Sequence, residues 1–270
     1  MTLNWQHILD TAEAATARVG AQLLQDFGSA TAETKADGSL VTQSDQWADA
    51  ELRRLLQKEF ADHGVLSEEV EHVLPDTDWC WIIDPIDGTT NFTRGIPLWG
   101  ISLALLYQGT PVFGHIYLPP LDQRFHGYWL EPAGWAGPSG AFCDHQPIRT
   151  STAEPSGTQF FSLCARSTAV LQRPFPCKIR MLGVATYNLL TVAAGISVGA
   201  VEATPKIWDI AAAWVIAKAA GAAWIPLDQP SVFPLKSGKD YSQTAFPTLL
   251  ISRAALVAQF RPLVEPVGRR

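Results

Sequence analysis

Residues 79–92 read WCWIIDPIDGTTNF, an apolar run that ends in two carboxylates and a polar turn. The run Trp79–Ile83 is typical of a buried strand, although periodicity alone does not exclude a helix in so short a segment. Pro85 fixes its own φ and stiffens the chain where Asp84 and Asp87 emerge. Two carboxylates beside an apolar strand repel each other and are costly to desolvate unless a cation neutralises them. By itself the stretch predicts a cation site or, with equal weight, an Asx turn with a helix cap.

The composition of this 270-residue chain is that of a compact globular protein, with 47% hydrophobic and 17% charged residues. The net charge of −6 argues against a general nucleic-acid binder, which would present a basic face. No apolar run is long enough for a membrane span, and the first ten residues lack the pattern of a secretory signal. The four cysteines form no CxxC pair and are interpreted as free thiols in a reducing cytosol. We therefore expect a cytoplasmic protein without a membrane or nucleic-acid partner.

Apolar periodicity predicts two helices near the N-terminus and then mostly strands. The first helix covers residues 3–27 and is closed by Gly28, and the second runs from an N-cap at Ser44 to Phe60. Strands are expected at residues 65–66, 79–83, 101–107, 112–118 and 124–130, the third and fourth forming a hairpin.

Residues 131–158 are rich in Gly, Pro and Ser and predict a boundary between two halves, 1–145 and 146–270, of one compact unit. Beyond this boundary, predicted strands and helices alternate. Strands are expected at 160–164, 178–182, 199–203, 222–227 and 249–252, and helices at 185–195, 209–220 and 254–263. Together the halves indicate an α+β or α/β layered fold.

Several other polar residues are candidates for chemistry, but their spacing does not show that they converge. Glu68 and Glu69 follow a predicted strand, yet an acidic pair is more often a solvated surface. Asp209 opens an apolar helix, which a capping role would explain. Gly88 and Thr89 offer backbone N–H groups that would suit an anion if a helical turn begins there.

The WIIDPIDGTTNF stretch at residues 81–92 resembles the signature of the inositol monophosphatase family. Three further segments resemble family motifs in the same order: residues 35–45 (K…VT..D), 67–70 (G-E-E-S) and 208–213 (W-D-x-A-A-G). The sequence departs from these motifs at Ser67, Val70 and Ala213, which are not proposed ligands. The resemblance implies a layered α-β-α-β-α sandwich, shared with the fructose-1,6-bisphosphatases. It also implies a magnesium-dependent, lithium-sensitive phosphatase that is often a homodimer.

Carried over by position, the resemblance implies a site with two or three Mg²⁺ ions. The implied metal ligands are Glu68, Asp84, the carbonyl of Ile86, Asp87 and Asp209. Thr89 and Asp45 would orient the attacking water, while Glu68 would also approach a third, weaker metal. The implied substrate contacts are Asp87, Gly88, Thr89, Gly183, Ala185 and Glu202, with Lys35 and Lys206 as further candidates.

The sequence therefore predicts a phosphomonoesterase that hydrolyses a small polyol phosphate, first of all inositol monophosphate, by direct attack of metal-activated water. Alternatives within this class are fructose-1,6-bisphosphate, histidinol phosphate and 3′-phosphoadenosine phosphate. A cluster of basic residues would suit the second phosphate of a bisphosphate: Arg166, Arg173, Lys178 and Arg180. An alternative from a different class is a partner-binding protein that retains the phosphatase fold.

Overall fold

The structure is a computed structural model that describes residues 3–35, 38, 40–131 and 134–264. Its α-helices are α1 Trp5–Asp26, α2 Gln43–Glu59, α3 Thr89–Thr93, α4 Ala185–Ala193, α5 Ile207–Ala219 and α6 Val257–Val264. The strands of the first half are β1 Ala32–Thr34, β2 Leu40–Thr42, β3 Gly64–Ser67, β4 Trp79–Asp87, β5 Gly100–Tyr107, β6 Thr110–Leu118, β7 Gln123–Tyr128, β8 Gly140–Cys143 and β9 Gln146–Ile148. The later strands are β10 Phe160–Leu163, β11 Lys178–Arg180, β12 Ser197–Glu202, β13 Ala223–Pro226 and β14 Thr248–Ile251.

The strands form two main sheets and one short ribbon. The larger sheet has the order β3-β4-β5-β6-β7-β8-β9, in which only the β3–β4 pair is parallel. The smaller sheet has the order β11-β10-β12-β14-β13, with β10, β11 and β12 parallel and β14 antiparallel to both of its neighbours. Strands β1 and β2 pair as an antiparallel ribbon.

The alternation of side chains along β4 explains how helices come to cover both faces of the larger sheet. Trp81 and Ile83 point to a core shared with α1 and α2, whereas Cys80 and Ile82 point to a core shared with α4 and α5. The second core also includes residues of the smaller sheet, whose outer face packs against α6. The layers are therefore α-β-α-β-α, which confirms the predicted fold.

Helix α5 is apolar on nearly all sides because it lies between the two sheets. Its close approach to β6 depends on Gly114, where an added Cβ would lie 2.5 Å from the carbonyl oxygen of Ala212. Gly127 on β7 plays the same part, since a Cβ there would lie 3.0 Å from the Cα atom of Ile216. These two glycines set how deeply α5, and the Asp209 it carries, sits against the larger sheet.

Two local predictions were wrong. Strand β4 does not end at Ile83 but continues to Asp87, with a register shift between Asp84 and Asp87. The N-cap of α2 is Thr42 rather than Ser44, because Thr42 accepts the backbone N–H of Asp45 while its own N–H donates to the Asp45 carboxylate. The segment 131–158, expected to contain a boundary between two halves, includes β8 and β9, which complete the larger sheet.

The four cysteines are free thiols, as the sequence predicted. Within the described part of the chain, no helix combines the length and hydropathy needed to cross a membrane.

Candidate active site

Three carboxylates meet where the larger sheet faces the start of α5. Asp84 and Asp87 lie on the last part of β4, and Asp209 lies in the first turn of α5. One carboxylate oxygen from each lies within 4.8 Å of the others. We call Asp84, Asp87 and Asp209 the carboxylate group. It brings together residues more than one hundred positions apart, which their spacing in the sequence could not show.

Asp84 is fully buried, and its environment disfavours a negative charge. Its Oδ1 accepts the backbone N–H of Ile86 at 3.1 Å, whereas its Oδ2 is buried without a hydrogen-bond partner among the described residues. Burial, followed by repulsion from Glu68, Asp87 and Asp209, raises the pKa of Asp84 well above its usual range. A buried, unpaired carboxylate oxygen beside two other acids is the arrangement that a bound cation would satisfy.

Asp87 connects the two halves of the chain. Its Oδ1 accepts the backbone N–H of Ala185 at 3.2 Å, and its Oδ2 accepts the backbone N–H of Thr186 at 2.6 Å and the Thr186 hydroxyl. These donors lie in the first turn of α4, where backbone N–H groups lack intrahelical acceptors. Burial raises the pKa of Asp87, although the bonds from Thr186 and Ala185 oppose the shift.

Glu68 lies outside the carboxylate group but lines the same cleft. Lys35 binds both neighbouring acids, with its Nζ 3.0 Å from Glu68 Oε1 and 2.8 Å from Glu69 Oε1. Burial disfavours the charge of Lys35, but its pairing with these acids outweighs that effect and raises its pKa. Burial and the charge of Glu68 raise the pKa of Glu69 to about 7. The Lys35 ammonium therefore neutralises part of the negative charge in the cleft.

Asp45 holds the Thr89 hydroxyl at the edge of the cleft. Its Oδ2 accepts the backbone N–H and the hydroxyl of Thr42, and its Oδ1 lies 3.2 Å from Thr89 Oγ1. The same Thr89 Oγ1 lies 3.0 Å from the carbonyl oxygen of Ile86. Burial raises the pKa of Asp45, against the lowering effect of these bonds. The capping box of α2 thus fixes the carboxylate that positions Thr89.

Asp209 is fixed by the start of α5. Its Oδ2 accepts the backbone N–H of Lys206, the N-cap residue, at 2.7 Å. Burial, with the charges of Asp87 and Glu68, raises the pKa of Asp209 well above its usual range. The Lys206 ammonium lies at the same cleft and donates to the carbonyl oxygen of Ser242 at 2.7 Å. A helix-capping role and a place in the carboxylate group are therefore compatible for Asp209.

The cleft around these residues has a volume of about 340 Å³ and continues into a second groove of about 420 Å³. Gly88 begins α3 with φ of +95°, a conformation that favours glycine, and its Cβ would lie 2.9 Å from Val184 Cγ2. The second groove is lined by the predicted substrate contacts Gly183, Ala185 and Glu202. Glu202 is buried and accepts Asn188 Nδ2 at 2.7 Å.

Sequence reasoning missed residues that position this site. Thr186 holds Asp87, and a polar residue in the first turn of an apolar helix was the available signal. Asn91, inside the quoted stretch, donates to the carbonyl oxygens of Leu98 and Leu182 at 2.8 Å and so joins α3 to the second half. His72 lines the cleft and has its Nε2 2.7 Å from the carbonyl oxygen of Glu68.

The predicted basic cluster does not gather at the cleft. Arg166 lines the cleft and donates to Thr204 Oγ1 at 2.6 Å. The Arg180 guanidinium instead lies over the Phe160 ring at 4.1 Å, and Arg173 and Lys178 are exposed and line neither groove. Only Arg166 of the four is placed to meet a ligand in the cleft.

Comparisons with known proteins agree with this fold. The profile of the inositol monophosphatase family matches residues 4–256. A fructose-1,6-bisphosphatase/inositol-1-monophosphatase of Aquifex aeolicus is 29% identical over 241 residues, 84% of this chain and 88% of that protein. A histidinol-phosphatase of Mycobacterium tuberculosis is 32% identical over 210 residues, 73% of this chain and 77% of that protein.

A solved structure of an IMPase from Thermotoga maritima superposes with a TM-score of 0.81 and 26% identity, covering 97% of this chain and 98% of the other. The family profile spans nearly the whole chain, from α1 to the start of α6. The resemblance first read from residues 81–92 is therefore confirmed. The chain belongs to the inositol monophosphatase family and is a phosphoric monoester hydrolase.

Proposed function

We propose that this phosphatase is Mg²⁺-dependent and hydrolyses a small polyol phosphate, inositol monophosphate before others. The observation that carries the proposal is the carboxylate group, which includes the unpaired Asp84 Oδ2 and lines the same cleft as Gly88 and Thr89. Relatives named inositol-1-monophosphatase support the choice of substrate.

The side chains present fit a magnesium site by their chemistry. Mg²⁺ prefers oxygen ligands and is usually held by one or two carboxylates, waters and substrate phosphate. We assign the metal to Asp84, Asp87 and Asp209, with Glu68 and the Ile86 carbonyl completing a site for two or three ions. Bound there, Mg²⁺ would neutralise phosphoryl oxygens and lower the pKa of a bound water.

The chain's own residues would hold the other participants in place. The Thr89 hydroxyl donates its hydrogen towards Asp45 Oδ1 and the Ile86 carbonyl oxygen, so its oxygen would accept a hydrogen bond from the attacking water and fix the direction of that water. Lys35 would keep Glu68 and Glu69 paired, so that the cleft does not carry their full negative charge when an anionic substrate enters. No covalent enzyme intermediate is needed.

The substrate would span both grooves. Backbone N–H groups of Gly88 and Thr89, at the start of α3, would bind phosphate oxygens beside Asp87. Gly183 and Glu202 would contact the hydroxyl groups of the substrate through a carbonyl and a carboxylate. The backbone N–H of Ala185 already donates to Asp87 Oδ1. Ala185 would therefore contact the substrate through atoms other than this N–H. The Lys206 ammonium, which donates one hydrogen bond to the carbonyl oxygen of Ser242, has two further N–H donors with which it would attract the phosphate.

A sugar bisphosphate is the second candidate, and the position of Arg166 favours it. Arg166 and Thr204 line both the cleft and the second groove. A second phosphate in the second groove would therefore contact a guanidinium and a hydroxyl. Histidinol phosphate is a further alternative, supported by the name of the Mycobacterium tuberculosis relative. A 3′-phosphoadenosine phosphate substrate has no comparable support here.

Further features stay proposals. We expect the ligand-rich half 1–145 and the half 146–270 to act as one unit, since Asp87 bonds to α4 across their division. We also expect a cytoplasmic homodimer that Li⁺ inhibits. A monomer in analytical sedimentation would contradict the dimer. Unchanged activity in assays with LiCl would contradict the inhibition by Li⁺.

The test is phosphate release from inositol, fructose, histidinol and adenosine phosphates, with and without Mg²⁺. We expect Mg²⁺-dependent turnover that is highest for inositol monophosphate; preference for fructose bisphosphate would favour the second candidate, and equal turnover without Mg²⁺ would contradict the metal assignment. Thr89→Ala should lower kcat by about 100-fold or more, in the range of other lost positioning groups. Thr93→Ala, on the same helix but lining neither groove, is the matched control and should stay near wild type, because the Thr93 hydroxyl donates to the backbone carbonyl oxygen of Thr90.

A further inference from the structure

A second group of side chains of the metal-binding types lies where α1 covers the larger sheet, away from the cleft. It consists of Glu13 on α1, His126 on β7 and His145 in the turn between β8 and β9. One ligand atom from each lies within 4.8 Å of the others. We call these three residues the histidine group. None of them lines the cleft or the groove beside it.

The histidine group contains buried polar atoms that lack partners. His126 is only 4% exposed, and its Nδ1 has no hydrogen-bond partner among the described residues. Glu13 Oε1 is likewise buried without a hydrogen bond, although His145 Nε2 lies 3.5 Å away. Buried polar atoms are nearly always satisfied, so unpaired atoms on two adjacent ligand-type side chains indicate a missing partner.

The fold holds the His126 side chain in place. The His126 ring stacks on Phe142 of β8, with centroids 4.8 Å apart and planes at 16°. His115, the cross-strand partner of His126 on β6, has its Nε2 2.9 Å from Thr16 Oγ1, one turn after Glu13 on α1. Burial lowers the pKa of His126 to about 4, so its imidazole is neutral near pH 7, the form that binds a metal.

His145 lies at the protein surface, in a tight turn. It is exposed and adopts φ of +61°, directly after Asp144 with φ of +47°, in the β8–β9 turn. Ligands of one tetrahedral Zn²⁺ lie about 3.3 Å apart, as bond lengths of about 2.0–2.1 Å require. The Glu13–His145 separation of 3.5 Å is already close to this value, and the exposed His145 ring can turn to meet His126.

We propose that Glu13, His126 and His145 bind a divalent transition-metal ion of the Zn²⁺ class. Two imidazoles and one carboxylate are a ligand set suited to Zn²⁺, and a water would fill the fourth position. Mg²⁺ is disfavoured because it takes oxygen ligands. The nearest guanidinium, that of Arg124, is already paired with Asp122 at 2.9 Å. The ion would join the N-terminal helix to the β8–β9 turn, independently of the phosphatase site.

The test uses the full-length protein with saturating Mg²⁺, titrated with Zn²⁺ by equilibrium dialysis and calorimetry. Wild type should bind one Zn²⁺ per chain more than His145→Asn, in which asparagine tolerates the positive φ. The affinity of that ion should fall by at least about 100-fold, since even the loss of an outer-shell partner costs 10–100-fold. His126→Gln should behave in the same way, whereas His7→Gln on α1 should bind as wild type does.

Co²⁺ provides a second readout that does not depend on stoichiometry. We expect visible d–d absorption from wild type and His7→Gln, and its loss in His145→Asn. Circular dichroism of each variant would show that the fold is intact. The proposal would be overturned if wild type and His145→Asn bound the same amount of Zn²⁺ and gave the same Co²⁺ spectra.

Discussion

The carboxylate group and the histidine group respond to burial in opposite ways. Burial raises the pKa of Asp84, whereas it lowers the pKa of His126 to about 4. In both cases the uncharged form is favoured. When they are ionised, the acids at the cleft lie close enough to repel one another. A neutral imidazole is subject to no such repulsion. The folded state should therefore depend on a cation at the cleft and not at the histidine group.

The two groups also differ in what holds them together. Asp87 bonds to the start of α4 and Asp209 lies on α5, so the carboxylate group depends on how the two sheets pack. The histidine group needs only α1 and adjacent strands of the larger sheet. A change in α5 should consequently disturb the cleft more than the histidine group.

The largest effect is expected from Asp84→Asn. Asparagine keeps the oxygen that accepts the Ile86 N–H but removes one negative charge from the carboxylate group. Turnover should fall by at least about 100-fold, because a proposed metal ligand is lost. Without divalent ions, however, the variant should be more stable than wild type by on the order of 1 kcal/mol, since the repulsion is relieved.

Thermal unfolding in EDTA and in Mg²⁺ checks both halves of this prediction. Mg²⁺ should raise the Tm of wild type more than that of Asp84→Asn, because a ligand stabilises only the state that binds it. A variant that is less stable than wild type in EDTA, yet equally stabilised by Mg²⁺, would contradict the account of the cleft.

The sequence could predict the members of a group that are close together along the chain, but not those that are far apart. Asp84 and Asp87 could be found because a strand followed by acids is a local pattern. The prediction that Asp209 lies beside them came from the family resemblance. The spacing of residues along the chain does not indicate that α5 packs between two sheets. Ser44 was predicted as the N-cap because serine is a common N-cap residue. The observed N-cap, Thr42, is distinguished by its pair of reciprocal hydrogen bonds with Asp45, which only the structure shows.

The histidine group was not predicted at all. Glu13 and His126 belong to elements separated by most of the first half, and the strand pairing that aligns β7 with β8 brings in His145. No motif encodes such a contact. Likewise, β4 continued past Ile83 because pairing with β5 outweighed the preference of Asp and Pro for a turn.

The second prediction concerns Gly114→Ala, which tests the dependence of the cleft on α5. The new Cβ would lie 2.5 Å from the Ala212 carbonyl oxygen, so α5 must move away from β6. Such overpacking typically costs about 1–3 kcal/mol, and displacement of Asp209 should lower turnover as well. Urea unfolding and kcat are the measurements. Gly157→Ala, whose Cβ would meet nothing within 4 Å, is the control and should match wild type.

The third prediction concerns His115, beside the histidine group. Burial, followed by electrostatic interaction with His126, Arg124 and His145, lowers the pKa of His115 to about 3. An unfolded histidine titrates near about 6.5, so between these values only the unfolded chain binds this proton. The free energy of unfolding should therefore fall as the pH falls from about 6.5 towards 3, by about 1.4 kcal/mol per pH unit from this residue.

Urea unfolding of wild type and His115→Gln at pH 6.5, 5.5 and 4.5, at saturating Mg²⁺, would measure the difference in slope. Glutamine can still bond to Thr16 but does not titrate. In the metal-free protein the carboxylate group acts with the opposite sign: its raised pKa values let the folded state take up protons first as the pH falls, which stabilises it. Equal slopes for the two proteins would show that His115 is already protonated or solvated in the folded state.

The smallest effect is expected from His145→Asn in EDTA at pH 7. The side chain is 61% exposed, and its ion pair with Glu13 is 3.5 Å long. Exposed pairs of this kind contribute about 0–1 kcal/mol, and asparagine retains the positive φ of the turn, so stability should change by less than about 0.5 kcal/mol. Urea unfolding is the measurement. A larger loss would mean that the turn is held by the Glu13–His145 pair itself, and that the histidine group is a structural ion pair rather than a place for a metal.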